Sequence, residues 1–311
     1  MDKVILVTGA NGFVGRHVIA RLAQDVQLKI VATDMHDRLL PLSAQTHGVT
    51  YVGGDVSSKA FVDSLAATHH FDSIIHLAAV ISQTPDSNTY LSIVNSNVHA
   101  TFLLLEMAKA HDARFIFPST ALVYGVQECP FREEMVPDPG DFYALSKQMC
   151  EQLIRFYTSR YRVASVIFRI GILYGPSQTV KMFIPWIIGS LFAGEEFPMT
   201  LGEQKRDFVY IGDLVEALGM VLARPEVTGT YNIGSGSAPS MKDVAALVEE
   251  LTGIAGKVKI GALPYREREV WDYRLDNSKA RETFGWTPGT PLREGLTRTI
   301  RYHLSTKQAS A

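Results

Sequence analysis

Val4-Ile5-Leu6-Val7-Thr8 runs without a break into Gly9-Ala10-Asn11-Gly12-Phe13-Val14-Gly15, and from there into Gly12–Ala23, whose apolar residues recur at helical spacing. The aliphatic run reads as a strand buried on both faces. Three glycines between a strand and a helix meet three backbone needs: a tight turn, an approach to a pyrophosphate with no side chain in the way, and close helix-on-strand packing. The helix start then offers unpaired N–H groups to phosphate. About twenty residues on, the next strand ends in Val31-Ala32-Thr33-Asp34, where a carboxylate accepts hydrogen bonds from an adenosine ribose and repels a 2′-phosphate. Asp34 therefore argues for NAD over NADP, a preference softened by nearby Arg38.

Outward from this unit, β-branched runs alternate with longer amphipathic ones. Strands are expected at Val4–Thr8, Lys29–Thr33, Thr50–Gly53, Ser73–Leu77, Arg114–Pro118 and Ala164–Arg169, and helices at Gly12–Ala23, Ser58–Ala67, Asn88–Ala110 and Tyr143–Arg160. That rhythm predicts an α/β protein with a doubly wound parallel Rossmann sheet. After Arg169 the stretch Gly171–Arg206 is punctuated by Gly and Pro and shows no steady period. Helices follow at Gly212–Ala223, Met241–Leu251, Ser278–Phe284 and Leu292–His303, with short strands at Thr230–Ile233 and Val258–Ile260; Thr306–Ala311 reads as a frayed tail. The expected division is a nucleotide-binding domain, 1–170, and a smaller mixed substrate lobe, 171–311, with 207–234 partly returning to the first and the substrate held between them.

Composition narrows the function classes. The chain has 311 residues, 46% hydrophobic, enough to bury a sizeable core. Thirty Lys and Arg against thirty-two Asp and Glu, with no basic cluster, argue against nucleic acid. Cys129 and Cys150 lack both a disulfide framework and metal-ligand spacing, so no metal is expected. Only Met1-Asp2-Lys3 precede the first strand, leaving no room for a signal peptide. The apolar stretch Phe183–Ala193, broken by Pro185 and Gly189, is too short for a membrane span. A cytoplasmic protein without membrane contact is expected.

Tyr143-Ala144-Leu145-Ser146-Lys147 sets a phenol and an ammonium four residues apart on one helix face. A cation beside a phenol lowers its pKa and makes it a usable acid and base. Pro118-Ser119-Thr120 closes the preceding strand at its carboxyl edge, where a hydroxyl can hold the substrate oxygen while Tyr143 moves its proton.

Together with His76-Leu77-Ala78-Ala79, Asn97-Val98-His99-Ala100-Thr101, Ser119 to Gly125, Tyr174-Gly175-Pro176, Arg206 to Asp213 and Asp276 to Ala280, these motifs span nearly the whole chain. In that order they resemble the extended short-chain dehydrogenases/reductases, and within them the NAD-dependent epimerase/dehydratase group. The resemblance implies NAD held by Gly9, Asn11, Gly12, Phe13, Val14, Gly15, Asp34, Asp55, Val56, Leu77, Ala78, Ala79, Asn97, Ser119, Tyr143 and Lys147. It implies a catalytic set of Tyr143, Lys147 and Thr120, and a nucleotide-sugar substrate touched by Thr120, Tyr143, Arg206 and Arg266. A homodimer is implied as well.

Two departures from the family pattern bear on the reaction. The family's 4,6-dehydratases carry Asp-Glu after the hydroxyl residue, whereas this chain has Ala121-Leu122, which argues against dehydration. Ile172 stands where many sugar-nucleotide members have an Asn near the diphosphate. The first expectation is a nucleotide-hexose 4-epimerase acting by transient oxidation at C4. The alternative is a reductase or dehydrogenase of a 4-keto-6-deoxy sugar nucleotide or of a small sugar or sugar acid, and a non-enzymatic NAD-sensing regulator is more remote because the Tyr/Lys pair is intact.

Overall fold

A computed structural model describes residues 3–36, 38, 48–82, 86–179, 182–267 and 269–309. In chain order the elements are β1 (Lys3–Thr8), α1 (Phe13–Leu22), β2 (Leu28–Thr33), β3 (Val49–Tyr51), α2 (Lys59–Thr68), β4 (Ser73–His76), α3 (Ser87–Ile93), a π-helical turn (Val94–His99), α4 (Ala100–His111), β5 (Arg114–Thr120), a 3₁₀ turn (Ala121–Tyr124), α5 (Phe142–Tyr161) and β6 (Ser165–Ile170). Next come β7 (Ile172–Tyr174), α6 (Phe183–Ala193), β8 (Phe197–Met199), β9 (Phe208–Tyr210), α7 (Ile211–Leu222), β10 (Gly229–Ile233), α8 (Met241–Thr252), β11 (Val258–Ile260), α9 (Ser278–Phe284) and α10 (Leu292–Ala309). The chain divides into two compact units. One comprises Met1–Gly125, Val136–Arg169 and Val215–Tyr231; the other comprises Val126–Met135, Ile170–Leu214 and Asn232–Ala311.

The first unit is built on a doubly wound parallel sheet in the order β10-β6-β5-β4-β1-β2-β3. Leu6 of β1 lies opposite Val31 of β2 on one side and Ile74 of β4 on the other, all in parallel register. Burial explains the composition of these strands: Ile5, Leu6 and Val7, Ile74 and Ile75, and Phe115, Ile116 and Phe117 are shielded on both faces. The chain runs outward from β1 to β2 and β3, then crosses back to β4. That reversal places the carboxyl ends of β1 and β4 side by side, the point where open α/β sheets hold ligands. Arg114, buried at the start of β5, donates to the carbonyls of Val221 and Val227 and so satisfies backbone acceptors at and beyond the end of α7. Among the described residues no helix is long and apolar enough to cross a membrane.

Three sequence expectations change here. The sheet has a seventh strand, β10, beside β6. Asn88–Ala110 is two α-helices joined by a π-helical turn rather than one helix, because the wider turn places Asn97 where its side chain reads the backbone after β4. At the C-terminus α10 continues through Ala309, so most of the expected tail is helical; residues 310–311 lie outside the described residues.

In the second unit β7 pairs in parallel with β9, and β8 with β11. The unpatterned stretch 171–206 contains helix α6 and two of these strands. Pro185 does not break α6 because it is the third helical residue, where no intrahelical N–H bond is required. The buried Asp207 accepts hydrogen bonds from Ser235 N and Oγ, Gly236 N and Leu275 N at 2.5–3.2 Å, tying three segments together. Asp213 does the same for Gly289 and Thr290, and its carbonyl accepts the indole N–H of Trp286 at 3.0 Å.

Candidate active site

Gly9 adopts φ 65°, and a Cβ there would lie 2.7 Å from the Ala78 nitrogen, so only glycine fits between β1 and the segment after β4. A Cβ on Gly15 would lie 2.2 Å from the Gly9 carbonyl oxygen. A Cβ on Gly12 would meet only that same oxygen, at 3.1 Å, so its outer side is open to a ligand. Gly12 also caps α1 without any side-chain hydrogen bond, leaving the helix start available to an anion.

Asp34, at the end of β2, accepts from the Asn11 N–H through Oδ2 at 3.0 Å, and the Asn11 amide donates to the Arg38 carbonyl at 3.1 Å. One carboxylate oxygen thus steadies the glycine turn, and the other lies 4.0 Å from His36 Nε2. Asp34→Ala is expected to weaken NAD about tenfold or more and NADP far less, because a charge-assisted bond contributes about 1.5–3 kcal/mol and a like-charge repulsion is lost. Titrating both dinucleotides measures this, and a wild-type preference for NADP would contradict the assignment. Asp55 is exposed and accepts from Ser57 N and Oγ at 2.8 Å, whereas Val56 is buried.

Behind β1 and β4 runs a buried hydrogen-bonded chain. Thr8 Oγ1 accepts from Leu77 N and Ala78 N at 3.1 Å, so its proton goes to His76 Nδ1 at 2.8 Å. Thr101 Oγ1 donates to the Asn97 carbonyl at 2.6 Å and so accepts from His76 Nε2, 3.1 Å away. This arrangement requires neutral imidazole with its proton on Nε2. Burial, reinforced by Lys147, pushes His76 down to about 3. Since the folded value lies below the unfolded one near 6.5, the stabilisation is complete above pH 6.5 and is lost as pH falls toward 3, at up to about 1.4 kcal/mol per pH unit. Urea unfolding of wild type and His76→Gln from pH 7 to 4 should show slopes differing by one proton; parallel slopes would refute this linkage.

Helix α5 is capped by Asp141, whose Oδ1 accepts from Ala144 N at 2.7 Å, so Tyr143 and Lys147 stand in its first turns. Lys147 is 4% exposed. Its Nζ donates to the Pro118 carbonyl at 2.9 Å and sits 4.3 Å from the Phe117 ring centre. Burial pushes Lys147 down to about 8, with Cys150 and Glu151 pulling the other way. Tyr143 departs from the sequence expectation. Burial, with Asp141 and Cys150 adding to it, raises the phenol rather than lowering it. Asn97 Nδ2 donates to Ser146 Oγ at 3.0 Å, and Ser146 Oγ donates to the Tyr143 carbonyl at 2.7 Å, so the π-helical turn supports the start of α5. Thr120 caps the 3₁₀ turn by accepting from Leu122 N at 3.2 Å.

The first unit therefore gathers the glycine turn, Asp34, the Leu77–Ala78 segment, Asn97, Ser119, Thr120, Tyr143 and Lys147 around the ends of β1, β4 and β5. Arg206 and Arg266 belong to the second unit. Arg206 pairs with Glu269 and donates to Val270 O at 2.5 Å and Lys205 O at 2.8 Å; Arg266 is exposed. Sequence reading gave no role to His76 itself, Cys150, Glu151 or Arg169. The signal for Glu151 was its spacing, since Tyr143, Lys147 and Glu151 succeed one another every four residues on α5.

The NAD dependent epimerase/dehydratase family model matches residues 5–234. An uncharacterized UDP-glucose epimerase of Bacillus subtilis is 30% identical over 96% of this chain and 97% of its own length. The dTDP-D-glucose 4,6-dehydratase of Mus musculus is 31% identical, over 97% and 88%. The structure of a UDP-glucuronic acid 4-epimerase from Bacillus cereus, in complex with UDP-glucuronic acid and NAD, superposes with a TM-score of 0.88 at 26% identity, covering 97% of this chain and 99% of that one. A dehydratase among the relatives removes support for setting dehydration aside on sequence grounds. A glycine turn between β1 and α1, an acidic residue directly after β2 and a Tyr/Lys pair one turn apart at the start of α5, its lysine bonded to the Pro118 carbonyl, agree with a match covering most of the sequence, and the chain belongs to the NAD dependent epimerase/dehydratase family.

Proposed function

We propose that the protein is an NAD-dependent epimerase of a nucleotide-linked hexose, inverting the sugar at C4. The observation that carries this reading is Lys147, one turn beyond Tyr143 on α5, donating to the Pro118 carbonyl near the carboxyl end of β5, the strand that Thr120 closes.

NAD fits the cradle: Gly9 and Gly15 permit the close backbone packing of the turn, Gly12 leaves its outer side open to the pyrophosphate, and Asp34 takes the ribose. When bound, it would supply reversible hydride transfer at the sugar carbon. The remaining work belongs to the chain. Tyr143, as phenolate, takes the proton from the C4 hydroxyl oxygen and, as the phenol so formed, gives it back; burial opposes the phenolate. The Lys147 ammonium favours the phenolate when it forms. Thr120 spends a lone pair on Leu122 N and keeps its O–H for the sugar oxygen.

Arg206 is the diphosphate contact in this reading. Among the described residues, three of its five N–H groups are held by Glu269, Val270 and Lys205, which orients the guanidinium, and two remain, the number a phosphate fork requires. Arg206→Ala is expected to weaken UDP or dTDP at least about tenfold, since two charge-assisted bonds exceed the 1.4 kcal/mol that a factor of ten requires. Calorimetry with a panel of nucleoside diphosphates measures it.

The assay of function follows UDP-glucose and UDP-glucuronic acid by proton NMR with catalytic NAD. Appearance of the C4 epimer supports the reading. A 4-keto-6-deoxy product would establish a dehydratase, and stoichiometric NADH consumption with a 4-keto substrate a reductase.

A further inference from the structure

Glu151 is fully buried on α5, two turns beyond Tyr143 and one beyond Lys147. Its Oε1 accepts the Ser119 hydroxyl at 2.7 Å. Arg169, also fully buried, grips both oxygens through Nε at 3.1 and 3.2 Å and donates to Oε2 from Nη2 at 2.8 Å; Arg155 adds a bond to Oε2 at 3.0 Å. The Arg169 guanidinium is further held over the Tyr124 ring, 4.7 Å from its centre. A carboxylate facing two guanidinium groups accepts hydrogen bonds and donates none, so the Ser119 proton is committed to Glu151.

The consequence reaches the residues of the proposed reaction. Helix α5 now holds the end of β5 at two successive residues, Pro118 through Lys147 and Ser119 through Glu151. Thr120 is next in the strand, and its position relative to Tyr143 is set by those two ties. The polarity of the neighbouring hydroxyls is set as well: Ser119 shows a ligand only lone pairs, whereas Thr120, accepting from Leu122 N, keeps its proton to donate.

Resting on the epimerase reading for its catalytic readout, we infer that Glu151, clamped by Arg169 and Arg155, is a positioning residue that takes the Ser119 proton and thereby registers the Thr120 hydroxyl against Tyr143 and Lys147. A mispositioned proton-transfer group costs turnover rather than binding.

Two changes test this. Ser119→Ala leaves the buried ion pair whole, and Ser119→Thr restores a hydroxyl. Glu151→Leu combined with Arg169→Met replaces the ion pair by apolar groups, an exchange that folded cores tolerate. The alanine variant and the double variant should each lower kcat about 10–100-fold with KM and NAD affinity within about twofold of wild type, and Ser119→Thr should recover most of the rate. Amide hydrogen exchange across residues 119–124, read on the protein without substrate, should rise in both variants. An unchanged kcat together with unchanged exchange would overturn the inference, and so would a loss of NAD affinity in Ser119→Ala, which would make Ser119 a direct cofactor contact. If wild type turns over no nucleotide sugar, the epimerase reading fails by itself, and the exchange measurement still decides whether Glu151 pins the end of β5.

Discussion

Tyr143→Phe is expected to reduce turnover by about 10²–10⁴-fold, the contribution of one well-placed proton-transfer group, while NAD binding stays within about twofold. The change removes a single oxygen from a ring in the first turn of α5. It leaves the Asp141 cap, the Ser146 bond to the Tyr143 carbonyl and the Lys147 bond to Pro118 in place. Gly9, Gly15 and Asp34, the proposed cofactor cradle, are equally untouched, so binding and chemistry should separate cleanly. Steady-state kinetics on the substrate found by NMR, paired with NAD titration followed by intrinsic fluorescence, provides the comparison. Near wild-type turnover would remove Tyr143 from the acid–base role.

Arg169→Leu is expected to destabilise the fold by about 3–5 kcal/mol, because it strands the Glu151 carboxylate where no water reaches it. Arg155 recovers part of the loss, since its ion pair with Glu151 persists, but its side chain is 40% exposed and the pairing is correspondingly screened. Burial pulls the Arg169 guanidinium down, and pairing with Glu151 and the neighbouring Tyr124 reverses the balance and holds it charged. Urea unfolding of the single variant beside the Glu151→Leu/Arg169→Met pair separates an unpaired charge from a lost contact. The single variant should be the less stable of the two, and equal midpoints would show that the charge is not stranded.

The fold was legible where one signal dominates. The strand–glycine–helix unit at Val4–Gly15, the aliphatic runs of β4 and β5, and the amphipathic α5 declare themselves because burial on one or both faces leaves little freedom of residue type. What sequence hid was decided by contacts between distant segments. Helix α6 is apolar on most sides and carries Pro185, so it shows no helical stripe, and its proline is harmless only because of where the helix begins. The π-helical turn has no sequence period of its own; it follows from Asn97 bonding Val80 and Ser146. For the proposed site, the placement of Tyr143 and Lys147 one turn apart on α5 and of Thr120 at the end of β5 was readable from spacing and strand position. The direction of the Tyr143 shift was not, because it depends on how much water the fold removes, and the Glu151–Arg169 pair was hidden because its partners are eighteen residues apart.

Synthesis from the N-terminus meets a gap built into this topology. When β6 has left the ribosome, its outer side has no neighbour, because β10 lies at Gly229–Ile233, about sixty residues further along the chain. Until then the nascent sheet ends in an open ladder of backbone N–H and C=O groups on a strand in which four of six residues are apolar, a template for unwanted pairing. The Arg114 guanidinium waits over the same interval, since both carbonyls it serves, those of Val221 and Val227, have yet to be made. Chains released early, between residues 170 and 228, should be the ones that aggregate or recruit chaperones, and those extended past Ile233 should not.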